Sequence, residues 1–105
     1  MARERFKTLT EQMFYVLLCL REERCGIDML ELIPAMTRGR VTVGSGTLYN
    51  LLEQFLEEGM IRETKAEGRR RDYIITEKGL AVLAREVDRL KEQVSDYRRL
   101  TEENT

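Results

Sequence analysis

The sequence has no histidine and no tryptophan, and only one proline and two cysteines, among its 105 residues. Without histidine it lacks the commonest general base and the commonest metal ligand. Cys19 and Cys25 lie six apart and make no Cys-x-x-Cys pair, so a zinc site would need Asp or Glu to complete it. Both read as reduced thiols, with Cys19 packed in a core helix. No nucleophile–base pair and no glycine-rich phosphate loop is present. These absences argue against an enzyme and against a metal or cofactor. The longest apolar run, Met13 to Leu20, is too short to span a bilayer, and the charged opening from Met1 to Lys7 leads to no small-residue cleavage site. A cytoplasmic protein with no membrane partner is expected. Strong net charge is missing as well: 18 basic residues stand against 19 acidic ones. Any surface for nucleic acid must therefore be local.

What is present suits one domain with one small core, since 42% of residues are hydrophobic and 35% charged. Thr8 and Glu11 have capping-box spacing, which predicts a helix from near Leu9. The dense apolar run that follows, flanked by charge as far as Arg24, predicts one long helix in the middle of the core. After Gly26 a second amphipathic segment extends from Ile27 to Met36. Pro34 inside it predicts a kink or a shortening. Val41-Thr42-Val43 alternates as a minimal strand would, and Ser45 is placed as an N-cap. The next helix, Thr47 to about Glu58, carries Leu48, Leu51, Leu52, Phe55 and Leu56 as a one-sided stripe, with Gly59 at its C-terminal cap. Residues 60–64 and 72–75 read as strands of a hairpin around a polar turn, 65–71. Thr76 to Gly79 opens a last helix whose apolar residues, Leu80, Leu83, Val87, Leu90, Val94 and Tyr97, step by three and four to a break at Thr101. Leu80 and Leu83 are expected to pack on their own domain, and the tail after Leu100 to fray.

The fold class is therefore mainly α with a small β-hairpin, in the order of a winged helix-turn-helix (residues 1–76). A long C-terminal dimerisation helix and tail (77–105) completes one compact unit. A helix fits the major groove, where polar side chains near its N-terminus reach base edges and phosphates. Ser45, Thr47, Tyr49, Asn50 and Gln54 are the candidates on the third helix. Arg38 and Arg40 precede it in a stretch free of acids, and Lys65, Arg69, Arg70 and Arg71 sit in the hairpin turn, the residue types that neutralise phosphates. The last helix is too long for so small a domain to cover. Val87, Leu90, Val94 and Tyr97 therefore predict a homodimer, the commonest oligomer and the match for a palindromic operator in double-stranded DNA.

The sequence also resembles the PadR family of transcriptional regulators from about Leu9 to Leu90. The resemblance rests on Cys25 to Met29 (CGIDM), Gly46 to Tyr49 (GTLY), Leu52 to Ile61 (LEQFLEEGMI) and Arg71 to Gly79 (RDYIITEKG). It implies a dimeric repressor released by a small molecule or stress signal, with the third helix in the major groove, Tyr49 at the DNA backbone and the wing tip on phosphate. The lack of tryptophan gives no support for the paired-tryptophan drug site of multidrug-binding members. Two other readings use the same fold: a winged helix that docks a protein partner, and a small-molecule or lipid-responsive protein whose chemistry lies in a dimer cavity.

Overall fold

Thr10 starts the first helix: its hydroxyl accepts the Met13 N–H at 3.1 Å. Helix α1 spans Glu11–Cys19 in the computed structural model, which describes residues 6–102. The expected cap at Thr8 does not form: Thr10 is the N-cap instead, and the Leu9 N–H is held by the buried Glu86 carboxylate at 3.2 Å. That bond keeps residues 6–9 as a non-helical strap, with Phe6 and Leu9 buried in the core. Nor does α1 run on to Arg24. Arg24 Nε donates to the Cys19 carbonyl at 2.9 Å, and the Ile75 N–H reaches the Leu20 carbonyl at 2.7 Å. The helix ends with these carbonyls bonded from outside, and the chain turns into a two-residue strand, β1 (Arg24–Cys25).

A 3₁₀ turn, Gly26–Asp28, leads into α2, Met29–Met36, an eight-residue helix with Pro34 inside it. Thr37 is buried and closes the turn beyond: its hydroxyl donates to the Ile33 carbonyl at 2.8 Å and accepts the Val41 N–H at 3.0 Å. The strand expected at Val41–Val43 is absent. Side chains take its backbone groups instead, Thr37 at Val41 and Gln12 Nε2 at the Thr42 carbonyl (2.9 Å), while both valines are buried in the core. Helix α3 spans Ser45–Glu57, and its N-cap is Gly44 rather than Ser45. Leu48, Leu51, Leu52 and Phe55 are buried, and Phe55 meets Phe6 edge-on with ring centroids 5.5 Å apart. Gly59, at φ 72°, ends α3 as expected. Its N–H bonds the Leu56 carbonyl at 3.1 Å and the Met60 N–H bonds the Phe55 carbonyl at 2.9 Å, the paired closure that a left-handed residue permits.

The wing strands reach further than their alternation suggests. β2 spans Ile61–Glu67 and β3 spans Arg70–Ile75, leaving only Gly68 and Arg69 as the turn. Lys65, Arg70 and Arg71 are thus strand residues, and the ladder bonds on to the tip because a two-residue turn at Gly68 (φ 59°) can close it. β3 is the middle strand of a three-stranded antiparallel sheet, order β1-β3-β2, with Arg24 opposite Tyr73 and Cys25 opposite Asp72. The third strand, β1, replaces the simple hairpin of the sequence reading.

Helix α4 spans Glu77–Glu102. Thr76 opens it as expected, its hydroxyl accepting the Gly79 N–H at 3.2 Å and donating to the Gly59 carbonyl at 2.6 Å. The face that packs on the domain is Gly79, Val82, Leu83 and Glu86. Leu83 is buried as expected, but Leu80 is 42% exposed, since it lies a step around the helix from that face. The tail expected to fray after Leu100 is still helical at Thr101, whose hydroxyl donates to the Tyr97 carbonyl at 2.7 Å, and at Glu102. The rest of the expected frayed tail, 103–105, and the opening residues 1–5 lie outside the described residues. No described helix is long and apolar enough to cross a membrane.

Two contacts tie α4 to the body. At Gly79 a Cβ would stand 2.2 Å from the Met60 carbonyl oxygen and 2.6 Å from Ile75 Cγ1, so only glycine lets the helix approach the wing base. At Glu86, 3% exposed, the carboxylate accepts from the Leu9 N–H and from the Arg89 guanidinium. The Arg89 hydrogen bonds, together with the Leu9 N–H, hold its pKa below the ordinary glutamate value, although burial opposes them.

Gly79→Ala is expected to lower unfolding stability by about 2–3 kcal/mol through overpacking against backbone, read from urea midpoints. A change within ±0.5 kcal/mol would contradict the close approach. For Glu86 the folded-state pKa is the lower one, so its contribution is present above the unfolded-state value and lost as pH falls through the folded one. Glu86→Gln should cost about 2 kcal/mol at pH ~7, and the gap between wild type and variant should shrink as pH drops below the ordinary glutamate value. A gap constant with pH in parallel urea titrations would refute this assignment.

Candidate nucleic-acid interface

Burying Leu48, Leu51, Leu52 and Phe55 turns the other side of α3 outward. Ser45, Thr47, Tyr49 and Asn50 are exposed there and Gln54 is half-buried. The first turn of α3 contains no acid, and no side chain caps its amides. A Cβ built at Gly44 or Gly46 would meet nothing within 4 Å, so the approach to those amides is open. A helix start of this kind favours an anionic partner through its unpaired N–H groups and its dipole.

Tyr49 is 49% exposed yet seated. Beneath it Gly26 brings the 3₁₀ turn against α3: a Cβ there would lie 3.0 Å from Leu52 Cδ1 and 3.7 Å from Tyr49 Cε1. Tyr73 stands beside them, its phenol pushed above its ordinary value chiefly by burial and so kept neutral. Between this turn, Tyr49 and the wing lies a groove of about 440 Å³, lined by Cys25, Gly26, Ile27, Tyr49, Arg69, Arg70 and Arg71. The structure thus brings the α3 tyrosine and the three wing arginines of the sequence reading to one concavity.

The cations are not equivalent. Arg70 Nε donates to Asp72 Oδ1 at 3.0 Å. Arg71 donates to the Gly68 carbonyl at 2.9 Å and pairs with Glu63 at 3.5 Å, and Lys65 stands 3.7 Å from Glu67. Arg40 is drawn to α1, bonding Glu11 at 2.6 Å and the Tyr15 hydroxyl at 2.8 Å while lying over the Tyr15 ring. Those bonds raise its pKa further. Arg38, in the left-handed region at φ 55°, and Arg69, at the wing tip, are exposed and make no ion pair among the described residues. Arg38, Arg40, Ser45, Thr47, Asn50, Gln54 and Lys65 do not line the groove. Sequence reasoning missed Cys25, Gly26 and Ile27 as its floor and Asp72 as the partner of Arg70. The floor is set by pairing across some fifty residues, which no local pattern reports. The Arg70–Asp72 spacing of two, on one strand face, was the available signal for the other.

Elsewhere, Val87 is half-buried and Leu90, Val94 and Tyr97 are exposed along α4, the last at 65%. Leu100 extends the stripe. A second groove of about 490 Å³ runs between this face and α1, lined by Phe14, Val87, Leu90, Lys91, Val94, Ser95 and Arg98. Phe14 and Leu100 escaped the sequence reading. Cys19 and Cys25 are free thiols, Cys19 lying 3.9 Å from Met36 Sδ and kept protonated by burial.

Comparison with known proteins agrees with this architecture. The structure superposes on a PadR-family transcriptional regulator from Eggerthella lenta DSM 2243 with a TM-score of 0.75 at 22% identity, covering 87% of this chain and 81% of that one. A PadR-like transcription factor from Bacteroides fragilis gives 0.71 at 22%, covering 86% and 89%. A transcriptional regulator from Clostridium thermocellum gives 0.69 at 18%, covering 86% of each. At these identities the likeness shows the winged-helix fold. A comparison with curated protein sequences returned no significant match. The family model described as "Transcriptional regulator PadR-like family" matches residues 16–85, two thirds of the chain and every element from within α1 to within α4. The chain therefore belongs to the PadR-like family, whose members are transcription regulators rather than enzymes.

Proposed function

We propose that this protein is a sequence-specific regulator that binds a palindromic operator in double-stranded DNA as a homodimer. It acts in the cytoplasm as a repressor that a small molecule or stress signal releases. One observation carries the reading: Tyr49, on the helix whose start is open and acid-free, lines a single groove with the three arginines of the wing. In this arrangement the start of α3 enters the major groove, with Thr47 and Asn50 at base edges and Ser45, Gln54 and Tyr49 at its margins. The wing arginines lie on flanking phosphates, Arg38 supplies a further contact, and Arg40 and Lys65 add charge from within their ion pairs. Residues 1–76 bind DNA, and residues 77–105 join the two copies. The repressor and effector roles rest on the family resemblance.

The division of labour is testable by fluorescence anisotropy on operator and scrambled duplexes over a salt series. Arg69→Ala should weaken binding to both duplexes alike and lower the salt slope by about 0.9, the effect of one lost phosphate contact. Asn50→Ala should cost about 1–3 kcal/mol on the operator and much less on scrambled DNA. Tyr49→Phe, which keeps the ring, isolates the hydroxyl. If Arg69→Ala alters the preference for operator while Asn50→Ala does not, the two elements are assigned the wrong way round. Negligible affinity of wild type at low salt would instead favour a protein-docking winged helix.

Dimerisation is read from α4, which at about 1.5 Å per residue carries its apolar Leu90–Val94–Tyr97 stripe outward, where the described residues leave all three side chains exposed. A second copy supplies the same stripe and groove under two-fold symmetry. Sedimentation should show a wild-type dimer at micromolar concentration and a monomer for the Leu90→Asp, Val94→Asp double variant. A monomeric wild type, or a variant that stays dimeric, removes this assignment.

A further inference from the structure

Three polar side chains are buried among the described residues. Thr37 closes the turn after α2 and Glu86 holds the N-terminal strap. Asp72, in the wing strand β3, does neither. It lies opposite Cys25, the last residue of β1, so β3 continues past the end of β1 towards the wing tip. Arg70, two residues earlier and on the same strand face as Asp72, lines the groove together with Ile27 and Tyr49. Its Nε is taken by Asp72 Oδ1 at 3.0 Å, while its two Nη groups have no hydrogen-bond partner among the described residues. The acid is nearly buried and the arginine tip is not: their side chains are 10% and 55% exposed.

An arginine recruited from solvent gives up most of its rotamer freedom when it docks on a phosphate. One already held through Nε has lost that freedom beforehand and keeps the Nη edge for the ligand. We propose that Asp72 is a positioning residue: its buried carboxylate fixes the Arg70 guanidinium in the groove beside Tyr49, presenting the Nη edge as a preformed site for a DNA backbone phosphate. This rests on the DNA-binding reading above and adds to it a wing contact prepared before DNA arrives. The sign of the effect separates it from plain electrostatics. An acid beside a phosphate repels it, so charge alone makes removal of Asp72 strengthen binding, whereas positioning makes removal weaken it.

The test is anisotropy on a scrambled duplex across a salt series, with Asp72→Asn, Arg70→Ala, the double variant and Arg70→Lys. Asp72→Asn should bind roughly threefold to tenfold more weakly than wild type, the scale of ordering one rotamer-rich side chain on binding. That loss should vanish in the Arg70→Ala background, where nothing remains to position. Arg70→Lys sits at an exposed position and leaves the fold unthreatened. It should lose most of what Arg70→Ala loses, because an ammonium keeps the charge but not the planar edge. An NMR signature independent of DNA accompanies this: slow exchange of the Arg70 Nε–H in wild type, lost in Asp72→Asn. Equal or tighter binding by Asp72→Asn, or full affinity in Arg70→Lys, overturns the positioning role while leaving the DNA-binding reading intact. A wild type that binds no duplex at low salt defeats the DNA-binding reading itself.

Discussion

Burial of Leu48, Leu51, Leu52 and Phe55 fixes the rotation of α3 about its own axis, and the candidate interface depends on that constraint. Each such side chain gains about 1.5–3 kcal/mol from leaving water. Turning α3 by one residue would forfeit several of these terms together. A single base contact returns only about 1–3 kcal/mol. The core therefore decides which side chains face outward, and α3 presents Thr47, Tyr49 and Asn50 as a fixed set. Phe6 against Phe55 and Gly26 against Leu52 secure the helix on two sides.

The sheet places the wing relative to that helix. β3 pairs with β2 to make the wing and with β1 to anchor it beside the 3₁₀ turn that carries Ile27. This is how a chain with a net charge of −1 forms a basic concavity. Two of its acids are buried in ion pairs, Glu86 with Arg89 and Asp72 with Arg70. The exposed pairs, Lys65–Glu67 and Arg71–Glu63, are screened by water and hold their cations loosely.

Helix α4 serves two faces at different distances from the core. Gly79, Val82, Leu83 and Glu86 belong to the domain, and Glu86 binds the strap that carries Phe6 towards α3. Further along, every side chain from 91 to 102 is exposed. The step from buried to exposed follows from length: a helix of 26 residues outruns the body it is rooted in.

The sequence by itself determined the three helices that build the helix-turn-helix, the hairpin and the long last helix. Each is written in short-range periodicity, and α3 also in its terminating Gly59. It determined as well that polar residues head α3 and that arginines gather near the wing tip. A local cap at Thr10 starts α1, while tertiary structure decided the strap before it and closed its far end, where Glu86 holds the Leu9 N–H and the Ile75 N–H takes the Leu20 carbonyl. It decided that Val41 and Val43 pack in the core without forming a strand, and that Arg24–Cys25 forms one. It also decided which arginines are committed: Arg40 to Glu11 and Tyr15, Arg70 to Asp72, with Arg69 left at the tip. Periodicity records which face of an element is apolar. A hydrogen bond or ion pair between distant residues depends on how those faces come together, and that is settled only when the core closes.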